Sequence, residues 1–424
     1  MENKRRNKRI NKDVKDNRKS TSKNKKNVKH IIIMLIWILI VISLIYQVVM
    51  FGLYTLGKVN KTKIPLYTVV DNLVTKYYPK YFEEEEEYTI NVTALGNIYT
   101  SKSVEYQYNN KDLDTVLNNV KESIKESDLV IANLRINELN KASNKFNENV
   151  ISSFNKIGVD VFTTANETNF KKNKSQIDEV NNIITNTKVS QVGMNNKPYI
   201  YEKDSLKIGI LSYYLNLDKN EVPVEGANKH IKYYTDENLK NDIKYLEENN
   251  TDFIIAYLDY TNDDIDRISL IQKQYAEKMF LNNVNAVFEV GSSAVKETYE
   301  DIYNMTSGGQ NHGYVMYSLG DMFGYYEKEF DVATSGEIKF TKKIIKDNLG
   351  NILEDKTVKY MTVNNPEIYY TNKYKNNINI YSITDMVKDN NIDESLKKEG
   401  NDIIREYEDK LNIKTIAKSE EKDK

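Results

Sequence analysis

Apolar residues run from Ile31 to Ile45 with only Ser43 between them, and resume at Val48 after Gln47. No acidic or basic residue falls between His30 and Lys58. A run of this length predicts one transmembrane helix over residues 30–57, long enough to cross about 30 Å of hydrocarbon. A cleaved signal peptide is the competing reading, disfavoured by the length of the run and the lack of a small-residue cleavage site. From Tyr88 onward the pattern changes to short apolar runs alternating with stripes of helical period. YTINVTALGNIYT reads as a strand entering a loop at Gly96-Asn97, and Leu113, Val116, Leu117, Val120 and Ile124 form one helical stripe.

The alternation continues along the chain. DLVIANL (128–134), VDVFTTAN (159–166), KIGILSYY (207–214), DFIIAYLDY (252–260), VNAVFEVG (284–291) and HGYVMYSLG (312–320) read as strands. Residues 148–158, 173–189, 237–249 and 268–282 read as helices between them, the first closed by Gly158. Strands and helices in alternation predict an α/β architecture, with polar tips at the carboxyl ends of several strands, where such folds assemble a site. Past about Asn348 the pattern thins to short β-prone segments, then a charged stretch with an amphipathic helix around 401–411.

Charge orients the first helix. Residues 1–29 hold 13 Lys/Arg against Glu2, Asp13 and Asp16, leaving 47 basic and 59 acidic residues in the rest of the chain. A basic flank predicts a cytoplasmic N-terminus and a translocated body. With no aromatics interleaved, anionic lipid explains the tail better than nucleic acid. The expected organisation is a basic cytoplasmic tail (1–29), the span (30–57), a stalk (58–88) ending in the acidic run Glu83–Glu87, an α/β domain (89–348), an extension (349–395) and a charged, frayed tail (396–424). The chain contains no cysteine, which excludes disulfides, thiolate metal sites and cysteine nucleophiles. Of three histidines, His30 lies at the membrane edge, His230 in a polar context and His312 at the start of a strand.

The order of the strand tips resembles the CapA-type proteins of poly-gamma-glutamate capsule synthesis. Tyr317-Ser318-Leu319-Gly320-Asp321-Met322-Phe323 is similar to the family's Tyr-Ser-Leu-Gly-Asn-Phe element. Ala132-Asn133-Leu134-Arg135 resembles its Asn-Leu-Glu segment, and Gly158-Val159-Asp160 with Thr164-Ala165-Asn166 its helix–Gly-Phe-Asp–strand leading into Ala-Asn-Asn-His. Gln272 and Ala276 match its Gln…Leu-Ala helix. The resemblance, over about residues 89–345, implies a calcineurin-like metallophosphoesterase-type layered β-sandwich flanked by helices. It also implies a metal cluster of Asp, Glu, Asn and His ligands.

The departures fall on those ligands. The family's Gly-Asp is Gly96-Asn97 here, its acid is replaced by Arg135, and its Asn-Asn-His is Asn166-Glu167-Thr168. Its His-Trp-Gly is Leu258-Asp259-Tyr260, and its Gly-His-His-Pro-His corresponds approximately to Glu289–Ala294. Two adjacent divalent ions need several anionic ligands to offset their repulsion, so neither a metal nor another cofactor is expected. Asn97, Asn133, Arg135, Asn166, Glu167 and Asp259 are the pocket candidates, with no catalytic residue assigned. Three outcomes stay open: Arg135 pairs with Glu167 or Asp259 as a structural ion pair, it holds an anionic ligand, or Glu167 and Asp259 act as acid and base.

The functional expectation is a membrane-anchored, outer-face, non-catalytic CapA-like protein. It would serve as scaffold or binding component for poly-gamma-glutamate or a similar anionic polymer, with the lipid bilayer and a membrane capsule-synthesis complex as partners and no nucleic acid. The alternatives are a hydrolase or transferase with a rebuilt carboxylate site, facing Glu167 with Asp259, and a structural surface protein unrelated to capsules.

Overall fold

The computed structural model describes residues 32–46, 84–194, 197–215, 230–260, 267–324, 331–347, 351–374 and 377–413. The basic tail, residues 30–31 and 47–57 of the expected span, stalk residues 58–83 and the final residues 414–424 lie outside the described residues. Contacts divide the chain into two units, Met1–Glu84 with Asp347–Asn351, and Glu85–Lys346 with Ile352–Lys424.

In the first unit, helix α1 covers residues 32–46. Its fifteen described residues come to roughly 22 Å at 1.5 Å per residue. No helix among the described residues is long and apolar enough to cross a membrane. This corrects the expected transmembrane helix. The signal-anchor, the bilayer as partner, the single-pass cell-membrane localisation and the cytoplasmic and extracellular division of the chain all rested on that helix, and none is supported.

The second unit is built on two sheets. The first has seven strands in the order β14-β13-β1-β2-β3-β4, with β11 also pairing β1. These are β1 (Glu84–Thr100), β2 (Leu129–Ile136), β3 (Val161–Thr163), β4 (Ser190–Val192), β11 (Asp321–Phe323), β13 (Gly336–Lys346) and β14 (Val358–Val363). The second sheet has the order β5-β6-β7-β8-β10-β9, from β5 (Tyr199–Lys203), β6 (Leu206–Leu215), β7 (Phe253–Tyr260), β8 (Ala286–Glu289), β9 (Thr298–Asn304) and β10 (Gln310–Met316). A three-stranded sheet, β12 (Val332–Thr334), β15 (Ile368–Tyr374) and β16 (Asn377–Ser382), completes the strands. The helices are α2 (Lys102–Tyr108), α3 (Leu113–Val116), α4 (Asn118–Ile124), α5 (Lys141–Ile157), α6 (Glu167–Phe170), α7 (Lys174–Thr187), α8 (Asp236–Glu248), α9 (Leu270–Leu281), α10 (Ile383–Lys388) and α11 (Glu394–Glu408).

The layers follow from the period-two alternation of each strand. Val92, Ala94, Ile131 and Val161 of the first sheet meet Ile208, Ile255, Tyr257 and Phe288 of the second in a shared inner core. The outer face of the first sheet carries Leu95, Val130 and Ala132 against Val120, Val150, Phe154 and Val180 of α4, α5 and α7. The outer face of the second packs Leu211, Ile254 and Leu258 on Leu239, Leu246, Met279 and Phe280 of α8 and α9. Helix, sheet, sheet and helix thus stack as a layered sandwich, the α/β architecture expected from the resemblance.

Two expected boundaries move. Glu84–Glu87, read as the end of a stalk, open β1, and Lys343 of β13 pairs with Glu85 and Glu87 at 3.2 and 2.9 Å. The segment read as a frayed tail contains α11, whose Ile403, Ile404 and Tyr407 pack on the inner core.

Candidate functional site

Parallel pairing sets four polar residues at one level. Asn97 of β1 is in register with Asn133 of β2 and with Asp321 of β11, and Asn133 is in register with Thr163 of β3. The β1–β2 register shifts between Ala94 and Asn97, where Gly96 runs against the backbone of Gly320 so closely that a Cβ would collide with its carbonyl. The same approach lets Asn97 N–H donate to Gly320 O at 3.0 Å. A glycine is therefore required for the strand tip to reach Asp321.

The amides then order themselves. Asn97 Nδ2 donates to Asp321 Oδ1 at 2.8 Å, which turns Asn97 Oδ1 toward Asn133 and Arg135. With Asn97 so oriented, Asn133 donates its NH2 to that oxygen at 2.7 Å, and its own oxygen accepts from Thr163 Oγ1 at 3.1 Å. Asn166 caps the short helix α6, accepting from Asn169 N–H at 3.0 Å, and donates to Leu134 O at 2.8 Å. Asn97, Asn133 and Asn166 are all buried.

Arg135 sits among them, 4% exposed. Its Nε donates to Asn97 Oδ1 at 3.2 Å and its terminal nitrogen to Val290 O at 2.7 Å. The same terminal nitrogen pairs with Asp259 Oδ2 from β7 of the other sheet. The Tyr99 ring lies 5.2 Å from the guanidinium carbon, within cation–π range. The second Asp259 oxygen accepts from Glu167 N–H at 3.3 Å.

Burial pushes the Asp259 carboxyl up from its ordinary value, and the Arg135 charge opposes it. A guanidinium keeps its proton at any working pH and here donates directly to the carboxylate, so the two are held as an ion pair at neutral pH. Burial also works against the Arg135 charge, but Asp259 above all outweighs it. Asp321 is pushed up to about 6 by burial, against hydrogen bonds from Asn97 and Ser293.

Five of the six candidates, Asn97, Asn133, Arg135, Asn166 and Asp259, meet in one connected network. Glu167 joins only through its backbone N–H, because its carboxylate turns along α6 to pair with Lys171. Sequence reasoning missed Asp321, Thr163, Tyr99 and the Val290 carbonyl. Asp321 carried a signal, standing where the resemblance has Asn after Tyr-Ser-Leu-Gly; a backbone carbonyl carries none. The segment corresponding to Gly-His-His-Pro-His supplies Val290 O to Arg135 and Ser292 O to Asn97 Nδ2 at 3.4 Å. Glu289 points to the opposite face of its sheet, where Tyr260 OH donates to it at 2.9 Å and Gln272 Nε2 at 2.6 Å. His312 is half-buried on β10 with its Nε2 3.5 Å from Glu300.

The donor set does not suit the metal cluster that the resemblance implies. The oxygens of Asp259 and Asn97 that would have to face a dication already face a guanidinium, and a second cation on the same atoms would meet Coulombic repulsion. No group of three Asp, Glu, His or Cys side chains placed to hold a metal occurs among the described residues.

Solved structures similar to this chain include a Staphylococcus aureus protein assigned as a 5′-nucleotidase, at 10% identity and TM-score 0.40, covering 74% of this chain and 58% of its own. A sulfate thiohydrolase from Thermus thermophilus gives 9% identity and TM-score 0.35, over 59% of this chain and 42% of its own. The calcineurin-like phosphoesterase YfkN from Bacillus subtilis gives 13% and 0.40, over 63% and 93%. This chain thus spans little more than half of the first of these proteins and less than half of the second. No curated protein matches it. The profile of a bacterial capsule synthesis protein family matches residues 91–326. That match extends from the third residue before Ala94 through Asn97, Asn133, Arg135, Asp259 and Asp321, and the chain belongs to this family, the bacterial capsule synthesis proteins PGA_cap.

Proposed function

We propose that this chain is a non-catalytic member of its family, a scaffold or binding component in the assembly of a capsular polymer. The observation that carries this reading is the buried Arg135–Asp259 pair. At the place where the resemblance implies charged ligands for metal ions, the chain supplies its own cation. The surrounding amides of Asn97 and Asn133 are spent on that cation and on each other. A guanidinium fixed at several points neither activates water nor leaves room for a phosphoryl group, and each of its bonds rigidifies the junction of the two sheets.

A rebuilt acid–base site would need Glu167 and Asp259 to face each other, and both are engaged elsewhere. The polymer that the resemblance implies is anionic, whereas the chain beyond residue 57 has 59 acidic and 47 basic residues. Its overall field does not attract such a polymer, which favours action through a partner protein.

The test is capsular polymer measured on cells of the source organism. Loss of the gene lowers it, while the paired substitution Arg135→Met with Asp259→Leu, which empties the tips of the ion pair, leaves it unchanged. An equal loss in both strains, with the double variant present in the cell at the level of the unaltered protein, would assign chemistry to the pair and overturn the proposal.

A further inference from the structure

Away from the strand tips, α3 and α4 meet the edge strand β16 in an open cleft of about 460 Å³, lined by Asp114, Thr115, Asn118, Asn119, Asn379 and Tyr381. That volume falls within the roughly 300–1,000 Å³ typical of small-ligand sites. We propose that this cleft binds a neutral, hydroxyl-rich ligand, namely a segment of an oligosaccharide.

The lining chemistry points there. Every residue of the lining carries a hydrogen-bonding group, and three are amides, each offering a donor and an acceptor on one rigid plane. Adjacent hydroxyls of a sugar present the same alternation. Among the described residues the Asn118 side chain makes no hydrogen bond within the protein. Its neighbours are partly engaged and fixed in place. Asn119 Nδ2 donates to Ile380 O at 3.3 Å, and Asn379 Nδ2 donates to Tyr381 OH at 3.2 Å. Asn379 and Tyr381 stand two apart on β16 and so project to one side, about 7 Å from each other. Ile378 and Ile380, which alternate with them, are buried and anchor the strand. Tyr381 is partly buried, its ring packed on the inner core, and its hydroxyl adds one more polar group to the lining.

Charge decides against the acidic polymer. The only ionic group of the lining is Asp114, paired with Lys156 at 3.1 Å, and no lysine or arginine belongs to the lining. A polycarboxylate would meet a carboxylate and no spare cation, a juxtaposition that rejects it. The inference extends the scaffold reading by assigning a ligand class, but it rests on the cleft alone.

The experiment titrates the full chain with maltotetraose, cellotetraose and a tetramer of N-acetylglucosamine, with tetra-γ-glutamate as the charged comparison. Amide shifts by nuclear magnetic resonance and heat by calorimetry are the readouts. The expected result is binding of a neutral tetramer that shifts residues 114–119 and 379–381, weakened about three- to tenfold by Asn118→Ala and by Asn379→Ala, one hydrogen bond each. Unchanged circular dichroism shows that both variants fold. No binding by any neutral tetramer, binding indifferent to both variants, or tetra-γ-glutamate binding as tightly at the same residues overturns the inference. None of these outcomes bears on whether the strand tips hold a metal, so the two readings fail separately.

Discussion

Replacing Arg135 by Met keeps the unbranched stem of the side chain and removes the guanidinium, leaving the Asp259 carboxylate without its counter-ion. Breaking a buried ion pair in this way costs about 3–5 kcal/mol. Protonation sets a ceiling on the loss, because Asp259 escapes the buried charge by taking up a proton. From an ordinary value of 3.8, staying neutral at pH 7 costs roughly 4 kcal/mol at 1.36 kcal/mol per unit. That ceiling falls by about 1.4 kcal/mol for each unit of acidification, to roughly 1.6 kcal/mol at pH 5. Lost donation to Val290 O adds about 1–3 kcal/mol at either pH. Arg135→Met therefore destabilises strongly at pH 7 and distinctly less at pH 5. The double variant Arg135→Met with Asp259→Leu recovers most of the loss, since a buried pair replaced by apolar groups is near neutral. Urea unfolding of the full chain followed by circular dichroism measures all three. A loss that is the same at both pH values, or a double variant as unstable as the two singles summed, would refute the claim that the pair is buried and coupled.

Glu289 carries a pH dependence of opposite origin. Burial pushes it up to about 8, against hydrogen bonds from Gln272 and Tyr260. The folded state then holds a proton that the unfolded state has lost, and this contribution to stability is full below about 4.5 and disappears as pH rises through about 8. Unfolding titrations from pH 5 to 9 should show Glu289→Gln flattening that decline; parallel curves for the two proteins would contradict the assignment. Asn166→Ala removes a helix cap and strands Leu134 O, for a loss of about 1–2 kcal/mol in the same unfolding assay. A change below about 0.5 kcal/mol would show that Asn166 is not bound as described.

The α/β alternation was legible because the central strands β2, β3, β7 and β8 are buried on both faces and the longer helices on one, so runs and stripes stood out. Leu113 to Ile124 formed a correct apolar stripe, all buried, yet the chain breaks at Leu117 into α3 and α4, since a stripe reports a face and not the continuity of a helix. β9 escaped notice because an edge strand with Tyr299 and Ile302 exposed carries no alternation. At the site, the parallel register of β1 and β2 made the convergence of Asn97 and Asn133 foreseeable from their places at strand tips. The choice of partner for Arg135 was not, because Asp259 lies 124 residues away on the other sheet and Glu167 on a separate helix. Only the relative positions of two sheets decide between them. Arg135 itself belongs to the strand, which runs to Ile136 beyond the predicted end, because its charge is met inside the core.

The most direct test of the account is the metal content of the purified full chain, by elemental analysis after exposure to Mn²⁺ and Zn²⁺ and removal of free ion. With Arg135 holding the oxygens of Asp259 and Asn97, the account predicts no stoichiometric metal. One or two ions per chain retained through dialysis, and lost on Asp259→Ala, would contradict it.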